Sequence, residues 1–196
     1  MGLYLISVCA EDWFAEGEDG WGEIATALNH ELRQQGLPPY ESVPEETRSV
    51  RGARQAFEEK IVPPMDGFAA LGRAHLSPED EETFYGWTVL VPFSLDETIR
   101  LPPGSGCTEA STVVAGAPQV LAMAERLAAA VGLPAETPHM CHNLELTTWF
   151  RDGAAERLAA ARPGPWSDDL DAAFYVALFL RAAQHSLRRG CPMTYS

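Results

Sequence analysis

Residues 111–134 read STVVAGAPQVLAMAERLAAAVGLP, and this stretch decides the predicted fold. Thr, Val and Val dominate its first five residues, which predicts a strand over 111–115. The apolar residues of 118–131 recur at helical spacing, and the Gly-Leu-Pro that follows is a typical helix end. Farther on, apolar and polar side chains alternate within 143–150, as they do in a half-buried strand. The three segments predict one right-handed β-α-β crossover whose two strands are parallel.

The rest of the chain adds strands and helices around this unit. Apolar runs predict strands, and apolar residues at helical spacing, ended by glycine or proline, predict helices. The predicted strands are 3–9, 84–91 and a hairpin partner 98–101, and the predicted helices are 20–35, 48–61, 152–161 and 168–189. Ser77 and Pro78 are a typical helix start, and Ser167 is the expected cap of the last helix.

These elements predict an α+β or mixed α/β fold, with residues 1–196 as a single domain. We expect one sheet of four or five strands with one β-α-β crossover, packed by several helices. The middle of the C-terminal helix, residues 172–180, is apolar on every side, so this long helix is expected to lie buried.

The charge of the chain is concentrated in its first half. Residues 1–98 hold 19 acidic and 6 basic residues, whereas residues 99–196 hold 9 and 8, so the halves carry −13 and −1 of the total −14. An acidic field repels nucleic acid and anionic membranes, and it accelerates association with a basic protein. The composition therefore favours a basic protein partner and argues against nucleic-acid and membrane binding.

Targeting signals and cysteine usage suggest a compartment. The N-terminal residues carry no basic segment of a secretory signal, and the longest apolar run, 172–180, is too short to span a bilayer. The four cysteines are widely spaced without a CxxC pair, which is typical of reduced thiols. Arginine outnumbers lysine 13 to 1, a composition typical of high-GC bacteria. We expect a soluble, cytoplasmic bacterial protein.

Residues 139–142, His-Met-Cys-His, form the densest group of potential metal ligands. Imidazole and thiolate suit Zn or Cu(I), so His139, Cys141 and His142 are candidate metal ligands. Strong zinc motifs pair two such knuckles, whereas this one stands alone. The alternative is an ordinary loop before a strand, and no cofactor is predicted.

Cys107 is a candidate nucleophile because it follows Gly104-Ser105-Gly106, a loop whose backbone N–H groups could stabilise an oxyanion. His139 or His142 could serve as its base if the predicted crossover brings them together. The alternative is a buried cysteine that acts as a small apolar residue. Nucleotide-binding GxGxxG and GxxxxGK[ST], protease HExxH and hydrolase GxSxG motifs are all absent from the sequence.

Aromatic residues are interleaved with acids in the N-terminal half, a pattern common in tight protein interfaces. The alternative is that these aromatics belong to the core and the acids only keep the protein soluble. The acidic runs Glu45-Glu46, Glu58-Glu59 and Glu79–Glu82 are most simply interpreted as solvated faces. The candidate partner-binding residues are Asp12, Trp13, Phe14, Glu16, Glu18 and Asp19.

Two functional hypotheses follow from these patterns. The first is a non-enzymatic binding protein, for instance of the immunity or inhibitor type, whose acidic half covers a basic partner. The second is a small cytosolic enzyme that uses Cys107 with His139 or His142, with or without a metal.

Overall fold

The structure is a computed structural model that describes residues 2–16, 20–43, 56–62, 64–102 and 111–196. Within these ranges, one sheet contains all the strands. They are β1 (Leu3–Ser7), β2 (Glu58–Ile61), β3 (Val89–Val91), β4 (Ile99–Leu101), β5 (Thr112–Gly116) and β6 (Met193–Tyr195).

The described parts of the chain contain nine helices. They are α1 (Ala10–Trp13), α2 (Gly22–Gln34), α3 (Asp66–His75), α4 (Pro78–Gly86), α5 (Ala117–Val131), α6 (Glu145–Arg151), α7 (Ala154–Ala161), α8 (Pro165–Asp168) and α9 (Leu170–Arg189). None of the described helices combines the length and apolar character needed to cross a membrane.

The strand order is β2-β1-β6-β3-β5-β4, and the sheet is mixed. β3 and β5 are parallel, whereas every other neighbouring pair of described strands is antiparallel. β6 lies in the middle, between β1 and β3. The predicted mixed fold with one sheet and a long C-terminal helix is confirmed, but the sheet has six described strands rather than four or five.

The predicted β-α-β crossover is wrong at its second strand. Residues 145–151 form helix α6, and the parallel neighbour of β5 is β3, which precedes it in the chain. Leu146 and Phe150 are both buried and lie four residues apart. A spacing of four places two residues on one face of a helix as well as on one face of a strand, so their pattern fits both.

Two other predicted elements differ from the structure. Of the predicted helix 48–61, residues 48–55 lie outside the described residues and residues 58–61 form strand β2. The predicted strand 84–91 begins as the last turn of α4 and becomes β3 only at Val89. Its expected hairpin partner, β4, pairs with β5 instead.

The long helix α9 is the centre of the core, as predicted. It packs against α5, α3 and α6, and every residue from Ala172 to Ala183 is buried. Its cap is Asp169 rather than Ser167, because Asp169 Oδ1 accepts a hydrogen bond of 2.9 Å from the N–H of Ala172. The predicted cap of α4 is confirmed, since Ser77 Oγ accepts from the N–H of Asp80 at 3.1 Å.

Candidate functional site

Trp13 and Phe14 are neighbours in the chain but lie in different environments. The Trp13 side chain is fully buried, and its ring centroid lies 6.0 Å from that of Tyr40. Phe14 is 43% exposed. The expectation that Trp13 is a surface anchor is therefore corrected: its indole belongs to the core, and Phe14 is the aromatic that remains on the surface.

The short helix α1 explains this division. Cys9 caps it, because the N–H of Asp12 donates to Cys9 Sγ at 3.4 Å, and the exposed Asp12 carboxylate accepts from the Cys9 thiol at 3.1 Å. Successive residues of a helix point about 100° apart. When Trp13 enters the core, Phe14 is consequently turned toward solvent.

Backbone contacts fix the position of Phe14. The N–H of Gly22 donates to the carbonyl of Ala15 at 3.0 Å, and the N–H of Trp21 donates to that of Asp12 at 3.0 Å. A Cβ atom at Gly20 or Gly22 would lie 2.3 or 2.6 Å from the Ala15 oxygen. Glycine at these positions allows the start of α2 to approach the end of α1 closely, so the backbone on either side of Phe14 is hydrogen-bonded to the start of α2.

Phe14 lies at a groove of about 790 Å³ that runs along one side of α2. Small or charged side chains form most of its wall. The residues that line it are Phe14, Glu16, Gly22, Glu23, Ala25, Thr26, Ala27, Asn29 and His30. We call this the α2 groove. Glu18 and Asp19, the two other predicted partner-binding acids, lie outside the described residues.

The described charges of the α2 groove are predominantly negative. Glu16 and Glu23 are both exposed, and Glu16 makes no ion pair with any other residue that the structure describes. The N-terminus of α2 contributes a partial positive charge of about half a unit. Two carboxylates outweigh this partial charge, so the groove favours a cation over an anion.

Helix α2 is held in place from its buried side. Asn29 is 9% exposed, accepts a 2.6 Å hydrogen bond from the N–H of Tyr40 and donates one of 3.1 Å to the Tyr40 carbonyl. The Tyr40 hydroxyl donates to the carbonyl of Gly190 at 2.7 Å. These bonds connect α2 to the end of α9, so the groove wall is anchored to the central helix of the core.

The potential ligands at 139–142 are spread between solvent and core. His139 is exposed, Cys141 is 5% exposed and His142 is intermediate. Among the residues that the structure describes, no three His, Cys, Asp or Glu side chains could together hold a metal ion. Burial and the nearby Glu59 carboxylate raise the pKa of the Cys141 thiol, which disfavours the thiolate needed for metal binding or nucleophilic attack.

The turn after Cys141 closes the outer edge of β2. The N–H of Glu58 donates to the carbonyl of Cys141, and the N–H of Leu144 donates to that of Glu58, each at 3.0 Å. Asn143 and Leu144 both have positive φ, 54° and 62°. Such strain often marks functional sites. Here it has a structural explanation, because the left-handed turn covers an otherwise open sheet edge.

Glu59 reinforces this closed edge from the core side. Its carboxylate is fully buried and accepts hydrogen bonds from the N–H of Leu146 at 2.7 Å, the N–H of Thr147 at 2.8 Å and the Thr147 hydroxyl at 2.7 Å. Burial raises the pKa of Glu59, although these three donors oppose the rise. The expectation that Glu58-Glu59 is a solvated pair is wrong for Glu59.

The predicted catalytic pair is not brought together by any described contact. Cys107 lies outside the described residues. His142 Nδ1 lies 3.4 Å from Glu145 Oε2, within ion-pair distance, but the two atoms do not have hydrogen-bond geometry. An open cavity of about 700 Å³ adjoins this pair and the exposed Met140. The structure therefore places a carboxylate beside His142.

A smaller acidic groove of about 290 Å³ lies where the parallel strands β3 and β5 end. Glu79, Asp96 and Glu97 line it, together with Asp80, which forms a 2.9 Å ion pair with Arg126. Its charge is partly neutralised by this pair, and its described lining residues include no large exposed aromatic.

The sequence pattern missed two residues of the α2 groove. Glu23 is explained equally well as a favourable charge in the first turn of a helix, and His30 carries no motif. Their spacing of seven residues places them on one face of α2, which is the only sequence signal for a shared surface.

No protein family, curated protein or solved structure matches the chain.

Proposed function

We propose that this protein is a non-enzymatic binding protein whose acidic N-terminal half covers a basic surface of another protein, as an immunity or inhibitor protein does. The observation that carries the proposal is Phe14, an aromatic side chain that is 43% exposed at the wall of an acidic groove. The proposed binding needs no cofactor, nucleic acid or membrane.

Exposed aromatic residues within a charged surround are typical centres of protein interfaces. The ring supplies apolar area that is desolvated on binding, and the carboxylates supply attraction at long range. Because the turn that carries Phe14 is closed by backbone hydrogen bonds, little conformational entropy is lost when a partner contacts it.

The α2 groove supports this proposal better than the other acidic groove does. The groove beside β3 and β5 lacks a large exposed aromatic among its described residues, and Arg126 neutralises Asp80. The 139–145 turn supports the enzyme hypothesis less, because its thiol is buried and its backbone is hydrogen-bonded to β2. We also propose a cytoplasmic location, since the described cysteines Cys9, Cys141 and Cys191 are free thiols.

The first test is affinity capture from native lysate at low and high salt, followed by kinetic measurement with the purified partner. We expect a basic protein that is lost at high salt. We expect the double variant Phe14→Ala/Glu16→Gln to weaken its binding at least about tenfold, which corresponds to roughly 1.4 kcal/mol. Salt should slow association with the native protein more than with the double variant.

Met140→Ala is the matched control. Met140 is also 43% exposed, but it lies at residues 139–145, the candidate site of the enzyme hypothesis. It should leave the affinity unchanged. Binding that is insensitive to salt and to the Phe14→Ala/Glu16→Gln change, or that is lost in Met140→Ala, would contradict the proposal.

A further inference from the structure

We infer that the α2 groove selects arginine over lysine, by stacking a guanidinium group of the partner on Phe14 and pairing it with Glu16. This inference rests on the proposed function and specifies the side chain that the partner inserts. It follows from three features of the groove: its aromatic wall, its charge and its extent.

The aromatic wall favours a planar cation. A guanidinium group stacks on an aromatic face and is weakly hydrated, whereas an ammonium group is compact and holds its water strongly. Phe14 offers exposed ring area at the groove, and Glu16, two residues farther along the chain, also lines it. A guanidinium that stacks on the ring therefore has a carboxylate beside it, to which its N–H groups can donate.

The charge of the groove excludes the opposite type of ligand. Helix N-termini commonly attract anions, and Gly22 and Glu23 belong to the first turn of α2. Trp21, the cap residue, makes no side-chain hydrogen bond to this turn. Glu23 nevertheless stands at this end of the helix and Glu16 faces the same groove, so an anionic ligand meets two carboxylates.

The extent of the groove indicates that a segment of chain, rather than an isolated side chain, occupies it. Glu23 and His30 are seven residues apart, which is about 10 Å along a helix. Between them the wall consists of Ala25, Thr26, Ala27 and Asn29, and the small side chains of the first three allow close approach. The occupant is thus a segment of a basic protein whose arginine lies at the Phe14 end.

The test uses two synthetic peptides that differ only in their cation, one alternating glycine with arginine and the other alternating glycine with lysine. Their affinities for the full-length protein are measured by calorimetry at low ionic strength. We expect the arginine peptide to bind about fivefold more tightly, the size of effect typical of an exposed cation–π contact. Phe14→Leu should abolish this preference, because leucine keeps the apolar contact but lacks the aromatic ring.

Two further variants separate the contributions. Glu16→Gln should weaken the binding of both peptides, since it removes a negative charge from the groove. Met140→Leu, at an equally exposed residue outside the groove, should change neither affinity. Unchanged thermal unfolding of each variant shows that its fold is intact.

The inference is overturned if the two peptides bind equally, or if the arginine preference survives in Phe14→Leu. Equal binding that is still weakened by Glu16→Gln would reject arginine selection while supporting the proposed acidic docking surface. If neither peptide binds, the groove does not bind cations and arginine selection is rejected. The capture experiment then decides the proposed function by itself.

Discussion

The α2 groove and the 139–145 turn each carry a large apolar side chain that is 43% exposed, Phe14 and Met140. Their backbones differ in what they hydrogen-bond to. In the turn, backbone groups of Cys141 and Leu144 complete the edge of β2. At the groove, hydrogen bonds close the turn behind Phe14 and leave its ring on the surface. The comparison teaches that a dense group of reactive side chains can serve the fold, while a plain acidic segment leaves an aromatic ring on the surface.

The largest expected effect tests the difference between Trp13 and Phe14. Trp13→Ala should lower the free energy of unfolding by about 4 kcal/mol, because it leaves a cavity beneath the fully buried indole. Phe14→Ala should change it by less than about 0.5 kcal/mol, as is usual at exposed positions. Urea denaturation followed by circular dichroism measures both.

A second substitution at Trp13 shows which part of the side chain matters. The indole N–H makes no hydrogen bond to any other described residue. Trp13→Phe should therefore be clearly less destabilising than Trp13→Ala. Equal stability losses in Trp13→Ala and Phe14→Ala would show that the two residues do not differ in burial as described.

The next largest effect is expected at Glu59, which lies on β2 beside the 139–145 turn. Glu59→Ala should lower the free energy of unfolding by about 3 kcal/mol, because it leaves the buried N–H groups of Leu146 and Thr147 without their acceptor. Glu58→Ala on the same strand is the control, since the Glu58 side chain is only partly buried. A loss in Glu58→Ala as large as that in Glu59→Ala would contradict the role assigned to the Glu59 carboxylate.

His185, which packs next to β2, should make the free energy of unfolding depend on pH. Its ring packs on Phe57, which precedes β2, with 5.5 Å between the ring centroids. Burial, helped by Arg188 and Arg189, lowers the pKa of His185 to about 3. In an unfolded chain the pKa of histidine is about 6.5. Between these values the unfolded chain binds a proton that the folded chain does not.

Stability should therefore fall as the pH is lowered from about 6.5 toward 3, by up to about 1.4 kcal/mol per pH unit from this residue. His185→Leu should flatten the pH dependence in this window. Urea midpoints measured across the window provide the comparison. An identical pH dependence in native protein and His185→Leu would exclude this contribution.

The smallest expected effect concerns the strained turn. Leu144 has a φ of 62°, which costs an ordinary residue about 1 kcal/mol and glycine almost nothing. Leu144→Gly should thus raise the thermal midpoint slightly or leave it unchanged, whereas Leu144→Ala should lower it because the strain remains and side-chain contact is lost. If glycine is the more destabilising of the two, the side chain rather than the strained backbone determines the cost at this position.

The elements that the sequence predicted correctly have local signals. Helix α5 follows a β-branched strand and ends at a glycine, and α4 begins at Ser77 with a proline after it. Strands β2 (EEKI) and β6 (MTY) were missed because neither contains an apolar run like that of β3, and both gain their stability from neighbouring strands. No local pattern encodes such pairing, and for the same reason the partner of β5 was assigned incorrectly.

The candidate site was predictable only in part. The sequence located aromatic residues among acids. Local composition does not distinguish Trp13 from Phe14, because these two successive residues point in different directions, one into the core and the other toward solvent. Glu59 stands in a charged stretch and carries no sign of burial, since its partners at 146–147 are distant in sequence. Both features depend on contacts that exist only after the chain has folded.

The central position of β6 has a consequence for biosynthesis. Of the six described strands it is the last in chain order, yet β1 and β3 reach each other only through it. While the ribosome is still synthesising the polypeptide, β2-β1 and β3-β5-β4 would be two half-sheets, each with an unpaired inner edge that can recruit other chains. The sheet is therefore completed only when residues 193–195 join the two half-sheets.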